Sequence, residues 1–236
     1  IDEAREGYGN EIIVTKFADG SIQIEDHGRG IPVDYNKNEE RYNWELVFCE
    51  MYAGGKYNNN DGENYEFSLG LNGLGLCSTQ YSSEYMDGNI RSDGQKFTLH
   101  FEKGENVGGL HKEKYDKKDT GTIIKWKPDL EVFTDINITA DYFLDVMKKQ
   151  SIVNAGVNFV FRNQVNGKFE VTEFKYENGI TDYVNEVVGD QGLSTTQTWS
   201  TEQKVRDRKD KPEYKCKMTI AVAFSNKVSM HDYYHN

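Results

Sequence analysis

In the stretch IQIED, Ile22 and Ile24 alternate with Gln23 and Glu25, the period of two that marks a strand with one face buried. The run EIIVTKF at 11–17 lies just before it, and Ala18-Asp19-Gly20 between the two is a hairpin signal. Residues 2–8 read as the tail of a helix ended by Gly7 and Gly9. Over 40–53, Trp44, Val47, Phe48 and Met51 fall at helical spacing and predict an amphipathic helix that stops at Gly54-Gly55. The polar stretch KYNNNDGENYEFSLG follows, and a loop of that length is uncommon and usually functional. LNGLGLCSTQYSSEY then reads as a helix entered through glycines.

Residues 89–127 predict antiparallel strands with turns at Ser92-Asp93-Gly94 and Asp119-Thr120-Gly121, the last strand being GTIIKWKP. A helix is expected over 139–154, a hairpin from 157–163 and 168–176, and a short helix over 179–188. After GDQGLS a new strand-rich segment starts near Thr195, with KVRDRKDKPEYK as a charged loop and CKMTIAVAFS as a strand. The fold class this predicts is α+β, a mostly antiparallel sheet with helices gathered on one face.

Composition narrows the picture. The chain has 236 residues, 36% hydrophobic and 28% charged, with 15 Tyr and 12 Phe, enough for a packed core. No apolar run approaches the roughly 20 residues of a membrane span. Cys49, Cys77 and Cys216 are far apart and lack C-x-x-C spacing, so they read as reduced thiols in a cytoplasmic protein. The five histidines share no metal-ligand spacing. The net charge of −11 repels a phosphate backbone, so this chain is not expected to be the part of a protein that grips DNA. IDEAREGY begins within a helical pattern, and the chain is read as an excerpt from a longer protein.

Three glycine features carry the candidate chemistry: Gly28-Arg29-Gly30, Ala53-Gly54-Gly55-Lys56, and GLNGLG at 70–75. Each is weak alone. GLNGLG has no preceding strand and no βαβ unit, so a dinucleotide fingerprint fails its own context. A glycine loop opening a helix still offers bare N–H groups and a positive helix end to an anion, and Lys56 adds a point charge. Asp26 at a strand end is able to accept a hydrogen bond from an exocyclic amine, and Gly28 and Gly30 admit a flat ring close to the backbone. Thr122 adds a hydroxyl on another strand. An adenine nucleotide satisfies all of these. The bland alternative makes Asp26 a turn former that bonds its own backbone two residues on.

IDEAREGY, EDHGRGIPV, YAGGKY, GLNGLG and TGTIIKWKP occur in the order and spacing of the ATPase domain of type IIA topoisomerase B subunits, which the chain resembles over essentially its whole length. That domain belongs to the GHKL ATPase superfamily, with chaperone, mismatch-repair and histidine-kinase relatives. The resemblance implies a two-layer α/β sandwich of the Bergerat type over residues 1–192, with 193–236 as the opening strands of a transducer domain. It implies ATP as ligand and Asp26 as the adenine-binding carboxylate. Gly28, Arg29, Gly30, Ile31 and Pro32 match the loop beside the base, with Arg29 paired to Glu3. Val47, Ile24 and Ile124 match apolar walls, and Arg91 resembles an arginine at the pocket mouth. Gly54, Gly55 and Lys56 match the start of the ATP lid, and Gly70, Leu71, Asn72, Gly73, Leu74 and Gly75 the triphosphate loop. Thr122 matches the hydroxyl that shares a water with the base.

Bacterial members usually carry Gly-Gly-Leu-His where this chain has Leu69-Gly70-Leu71-Asn72. In the family, a catalytic glutamate and a magnesium-binding asparagine precede the Ile-Asp-Glu-Ala motif. Both fall before Ile1, so no catalytic residue or metal ligand is expected within this chain, and the chain alone is expected to be inactive. The parent is expected to be an ATP-hydrolysing topoisomerase that gates DNA strand passage. Its implied partners are an A subunit, DNA, a second B subunit and ATP-site gyrase inhibitors, with no membrane. A non-catalytic nucleotide-binding dimerisation module, or a chaperone or mismatch-repair relative, is the alternative.

Overall fold

The computed structural model describes residues 1–53, 73–206, 208–210 and 213–226. These fall into two compact units. The first takes Ile1–Lys148 and Asn158–Phe174; the second takes Lys149–Val157 and the described residues from Lys175 onward.

The first unit is built on a nine-stranded sheet. Its strands are β1 (Glu11–Lys16), β2 (Ile22–Asp26), β5 (Ser83–Ser92), β6 (Gln95–Glu102), β7 (Glu105–Asn106), β8 (His111–Lys114), β9 (Gly121–Pro128), β10 (Asn158–Val165) and β11 (Lys168–Phe174). They run in the order β11-β10-β1-β2-β9-β5-β6-β7, with β8 also on β6. Every pairing is antiparallel except β1 with β10. The expected turns hold: Asp93 and Gly94 both have positive φ at the β5–β6 hairpin, as does Gly20 between β1 and β2.

Register decides what each face carries. Asp26, Thr122 and Ile90 lie side by side across β2, β9 and β5, as do Ile24, Ile124 and Gly88. This face holds the core: Phe48, Met86, Ile90, Phe97, Leu99, Phe101 and Ile124, with Trp44, Val47 and Leu76 packed on them. Phe48 comes from helix α2 (Asn43–Cys49) and stacks on Phe101 at 5.4 Å. Leu76 comes from α3 (Gly75–Tyr81). Phe143 of α4 (Ala140–Val153) stacks on Phe161 of β10 at 5.3 Å. Alternation turns Glu25, Lys125 and Asp87 to the opposite face, which toward β1 and β10 also carries the buried Ile13 and Val160.

Two expected helices are shorter than their patterns. Residues 35–42 form a small hairpin, β3 (Tyr35–Asn36) and β4 (Arg41–Tyr42), because Asn36 Oδ1 accepts the N–H groups of Asn38 and Glu39. α2 starts only after that turn, where Glu45 accepts the N–H of Tyr42 at 2.8 Å. It ends at Glu50, whose backbone is extended, so Met51 lies beyond the helix and is exposed. α3 stops at Tyr81: the hydroxyls of Ser82 and Ser83 bond back to the carbonyls of Ser78 and Thr79, and β5 begins at Ser83.

The second unit holds the end of α4, α5 (Ile180–Val188) and the hairpin of β12 (Gln197–Val205) with β13 (Tyr214–Val222). Ile152, Tyr176 and Tyr183 form its buried cluster, and the Tyr176 hydroxyl donates to Glu186 at 2.6 Å.

Candidate functional site

β2 delivers Asp26 to the core-bearing face beside Thr122. The backbone then turns away. Gly28 N–H donates to Asp26 Oδ1 at 2.8 Å, and Thr120 Oγ1 donates to the Gly28 carbonyl at 2.6 Å. Ile31 N–H donates to Thr122 Oγ1 at 3.2 Å. The loop from Gly28 to Ile31 is thus tied at one end to Thr120, just before β9, and at the other to Thr122 within it. The contact of Asp26 with Gly28 is the turn-forming bond of the bland reading. It engages one carboxylate oxygen once, and a carboxylate accepts several hydrogen bonds. The two readings therefore coexist in the geometry.

α1 (Asp2–Arg5) supplies Glu3. Its carboxylate accepts from Arg29 three times: backbone N–H to Oε2 at 2.9 Å, Nε to Oε2 at 3.0 Å, and Nη2 to Oε1 at 2.8 Å. The family resemblance implied that Arg29 pairs with Glu3, and the geometry is the two-pronged, bidentate form that holds both orientation and charge. The guanidinium carbon also sits 4.0 Å from the centre of the Tyr8 ring. Sequence reasoning missed Tyr8 as a site residue; its only signal was its place in IDEAREGY. Glu3, Tyr8, Glu11, Asp26 and His27 are among the residues that line a cleft of about 330 Å³.

The glycines divide by what they make room for. A Cβ on Gly28 would meet Glu3 Cβ and Cγ at 2.8 Å, and one on Gly30, at φ +89°, would meet the Arg91 carbonyl oxygen at 2.9 Å. Space for a flat ring was the expected reason for both. In the structure the protein's own neighbours fill that space. Gly121, at φ +145°, is bare for the same kind of reason, since a Cβ there would run into the Asp26 carbonyl. Gly75, at the start of α3, is different: among the described residues nothing lies within 4 Å of a Cβ built on it.

Glu3, Asp26, Gly28, Arg29, Gly30, Ile31 and Thr122 are brought together. Pro32 follows them and is exposed. Ile24 and Ile124 are register partners on the same face, Ile124 buried and Ile24 open to solvent. Val47 packs on the cluster that contains Ile124. Gly73 and Leu74 lead into Gly75 at α3, Gly73 with φ +57°. Gly54, Gly55, Lys56, Gly70, Leu71 and Asn72 lie outside the described residues, as does the stretch expected to form the lid. Arg91 pairs with Asp119 at 2.8 Å and Glu25 at 3.4 Å, on the face of the sheet opposite Asp26 and Thr122. Cys77, close to the 70–75 loop in sequence, is buried, and burial pushes its thiol up, which suits a packed apolar residue and not a nucleophile.

The chain is similar to known proteins over most of its length. The B subunit of DNA topoisomerase 4 from Salmonella typhimurium is 34% identical over 196 residues, covering 83% of this chain and 30% of that protein. The DNA gyrase B subunit of Thermotoga maritima is 34% identical over 185 residues, covering 78% of this chain and 28% of that protein. The chain belongs to the type IIA DNA topoisomerase B-subunit family. No family model matches it. The 43K ATPase domain of Thermus thermophilus gyrase B, solved in complex with an aminocoumarin, shares the fold: TM-score 0.69 at 22% identity, over 87% of this chain and 51% of that one. The α+β sheet with helices on one face is therefore the fold of the gyrase B ATPase domain. A chaperone or mismatch-repair relative is not favoured. The chain spans under a third of the length of the B subunits it matches. No helix among the described residues is long and apolar enough to cross a membrane.

Proposed function

We propose that the first unit binds ATP, with Asp26 taking the exocyclic amine of adenine. The observation that carries this reading is the Asp26–Gly28–Thr122 arrangement. A carboxylate is held by one oxygen at a strand end, beside a hydroxyl in register and a loop whose guanidinium is clamped by Glu3. A carboxylate only accepts, so it suits the amine of adenine and not the carbonyl of guanine. Thr122 steadies the loop through Ile31 and shares a water with the base. Ile24, Val47 and Ile124 supply the apolar wall, and Ile24 is exposed as a ring-stacking surface needs to be. Glycines 70–75 take the phosphates, and Gly54, Gly55 and Lys56 open the lid over them. Arg91 stands at the mouth of the pocket, held by Asp119 and Glu25.

Magnesium is proposed to accompany the bound nucleotide. Among the described residues no group of three candidate metal ligands gathers. In the parent protein, ATP binding joins two B subunits and, with the A subunit, gates passage of one DNA duplex through another. Residues 193–236 are read as the first strands of the transducer domain that relays this, in a cytoplasmic enzyme open to ATP-site inhibitors. The test is a calorimetric titration with non-hydrolysable ATP and GTP analogues. We expect the ATP analogue to bind at least about ten-fold more tightly, since the wrong base leaves a buried polar group unpaired. Equal affinity for the two, or none for either, contradicts the reading.

A further inference from the structure

Tyr8 lies outside every position to which the family resemblance assigns a role, yet the chain around it is shaped to hold its ring in one place. Its N–H donates to the Glu3 carbonyl at 2.8 Å, closing the end of α1. Gly7 before it and Gly9 after it both have positive φ, at +87° and +77°. A Cβ on Gly9 would meet the His27 carbonyl oxygen at 2.6 Å, so the segment is pressed against the backbone that follows Asp26. The ring is 44% exposed and therefore not a core residue. What it touches is the Arg29 guanidinium, at 4.0 Å from the ring centre.

Glu3 and Tyr8 act on Arg29 in different ways. Glu3 grips the Nε–Nη2 edge and the backbone N–H, which fixes where the group is. An edge contact does not by itself set the tilt of the guanidinium about that edge. A ring against its flat side sets the tilt, and the ring quadrupole attracts the cation. We infer that Tyr8 is a positioning residue for nucleotide binding: it sets the plane of Arg29 and so the shape of the Gly28–Ile31 loop that flanks the base. The ligand class is the adenine nucleotide of the proposed function, and the inference rests on that reading. Tyr8 acts through Arg29 and is not itself a ligand.

Calorimetry with a non-hydrolysable ATP analogue on the full-length protein tests this, using Tyr8→Leu, Tyr8→Phe, Arg29→Ala and the Tyr8→Leu/Arg29→Ala pair. Tyr8→Leu should weaken binding about two- to five-fold, the size of an exposed cation–π contact, without moving the melting temperature. Tyr8→Phe keeps the ring and should bind as the wild type does. In the Arg29→Ala background, Tyr8→Leu should change nothing further. Wild-type affinity in Tyr8→Leu overturns the inference, as does a loss in Tyr8→Phe equal to that in Tyr8→Leu. An undiminished effect of Tyr8→Leu without Arg29 also overturns it, because the ring would then act by another route. Each of these outcomes leaves ATP binding standing. A wild-type protein that binds no analogue overturns both.

Discussion

His100 shows how one side chain links strands through charge. Its Nδ1 lies 2.7 Å from Asp87 on the neighbouring strand and its Nε2 lies 3.2 Å from Glu102. The bond to Asp87, then that to Glu102, raises its pKa above the ordinary histidine value. A group whose folded pKa is raised stabilises the fold fully below its unfolded pKa of about 6.5, and that contribution is lost as pH rises through the folded value. The side chain is 39% exposed, so solvent screening holds the effect to about 1 kcal/mol at most. The melting difference between wild type and His100→Gln should be largest near pH 5 and shrink toward pH 9. A difference that grows with pH would show that the imidazolium is not what binds the two carboxylates. At the site, Glu3 and Asp26 act by geometry: each accepts backbone N–H groups that fix the loop between them.

Among the elements, α3 and the start of β9 make opposite predictions about glycine. Gly121→Ala forces a Cβ onto the Asp26 carbonyl at a left-handed φ. It should cost about 1–3 kcal/mol or more and lower the melting point by several degrees. Gly75→Ala meets nothing among the described residues and sits in a helix, where alanine is the better former. It should leave the melting point unchanged or slightly raised, and yet weaken ATP-analogue binding if the 70–75 loop cradles phosphate. Unaltered affinity in Gly75→Ala would remove that loop from the site. These elements also show what the sequence makes legible. GTIIKWKP is β9 residue for residue, and the short hairpins fall where glycine and aspartate say they do, because those signals are local. The parallel pairing of β1 with β10 joins residues almost 150 positions apart, and no local pattern announces it. Periodicity overextends α2 because Met51 fits the helical spacing, whereas Asn36 and the extended Glu50 set the true ends through backbone geometry that periodicity does not see. For Arg91, likewise, a motif fixes a position along a strand, whereas register fixes the face. That Glu3 meets Arg29 and that Thr122 lies beside Asp26 was legible only through the family resemblance, because a G-x-G after a strand is by itself an ordinary turn signal.

At the level of the molecule, the net charge of −11 makes this chain a poor partner for a phosphate backbone. Sedimentation of the chain with a short DNA duplex at physiological salt should show no complex, and stable co-sedimentation would mean that a basic surface outweighs the total charge. ATP binding, in contrast, should be felt by the whole first unit. The sheet carries Asp26 and Thr122 on the same face as its core. A ligand at about 100 times its Kd stabilises a protein by about 2.7 kcal/mol, which is roughly 5–11 °C in melting temperature for a domain of this size. The most direct measurement of the central claim is that ligand-induced shift in wild type and in Asp26→Asn, at one fixed concentration of a non-hydrolysable ATP analogue. Asparagine is able to keep the bond to the Gly28 N–H, so the ligand-free melting points should agree. The adenine bond is charge-assisted, and its loss costs on the order of 1.5–3 kcal/mol, about 10- to 150-fold in affinity. The shift in Asp26→Asn should therefore fall to half or less of the wild-type value. A lower ligand-free melting point with an undiminished shift would show that Asp26 is only a turn former and that the base is held elsewhere.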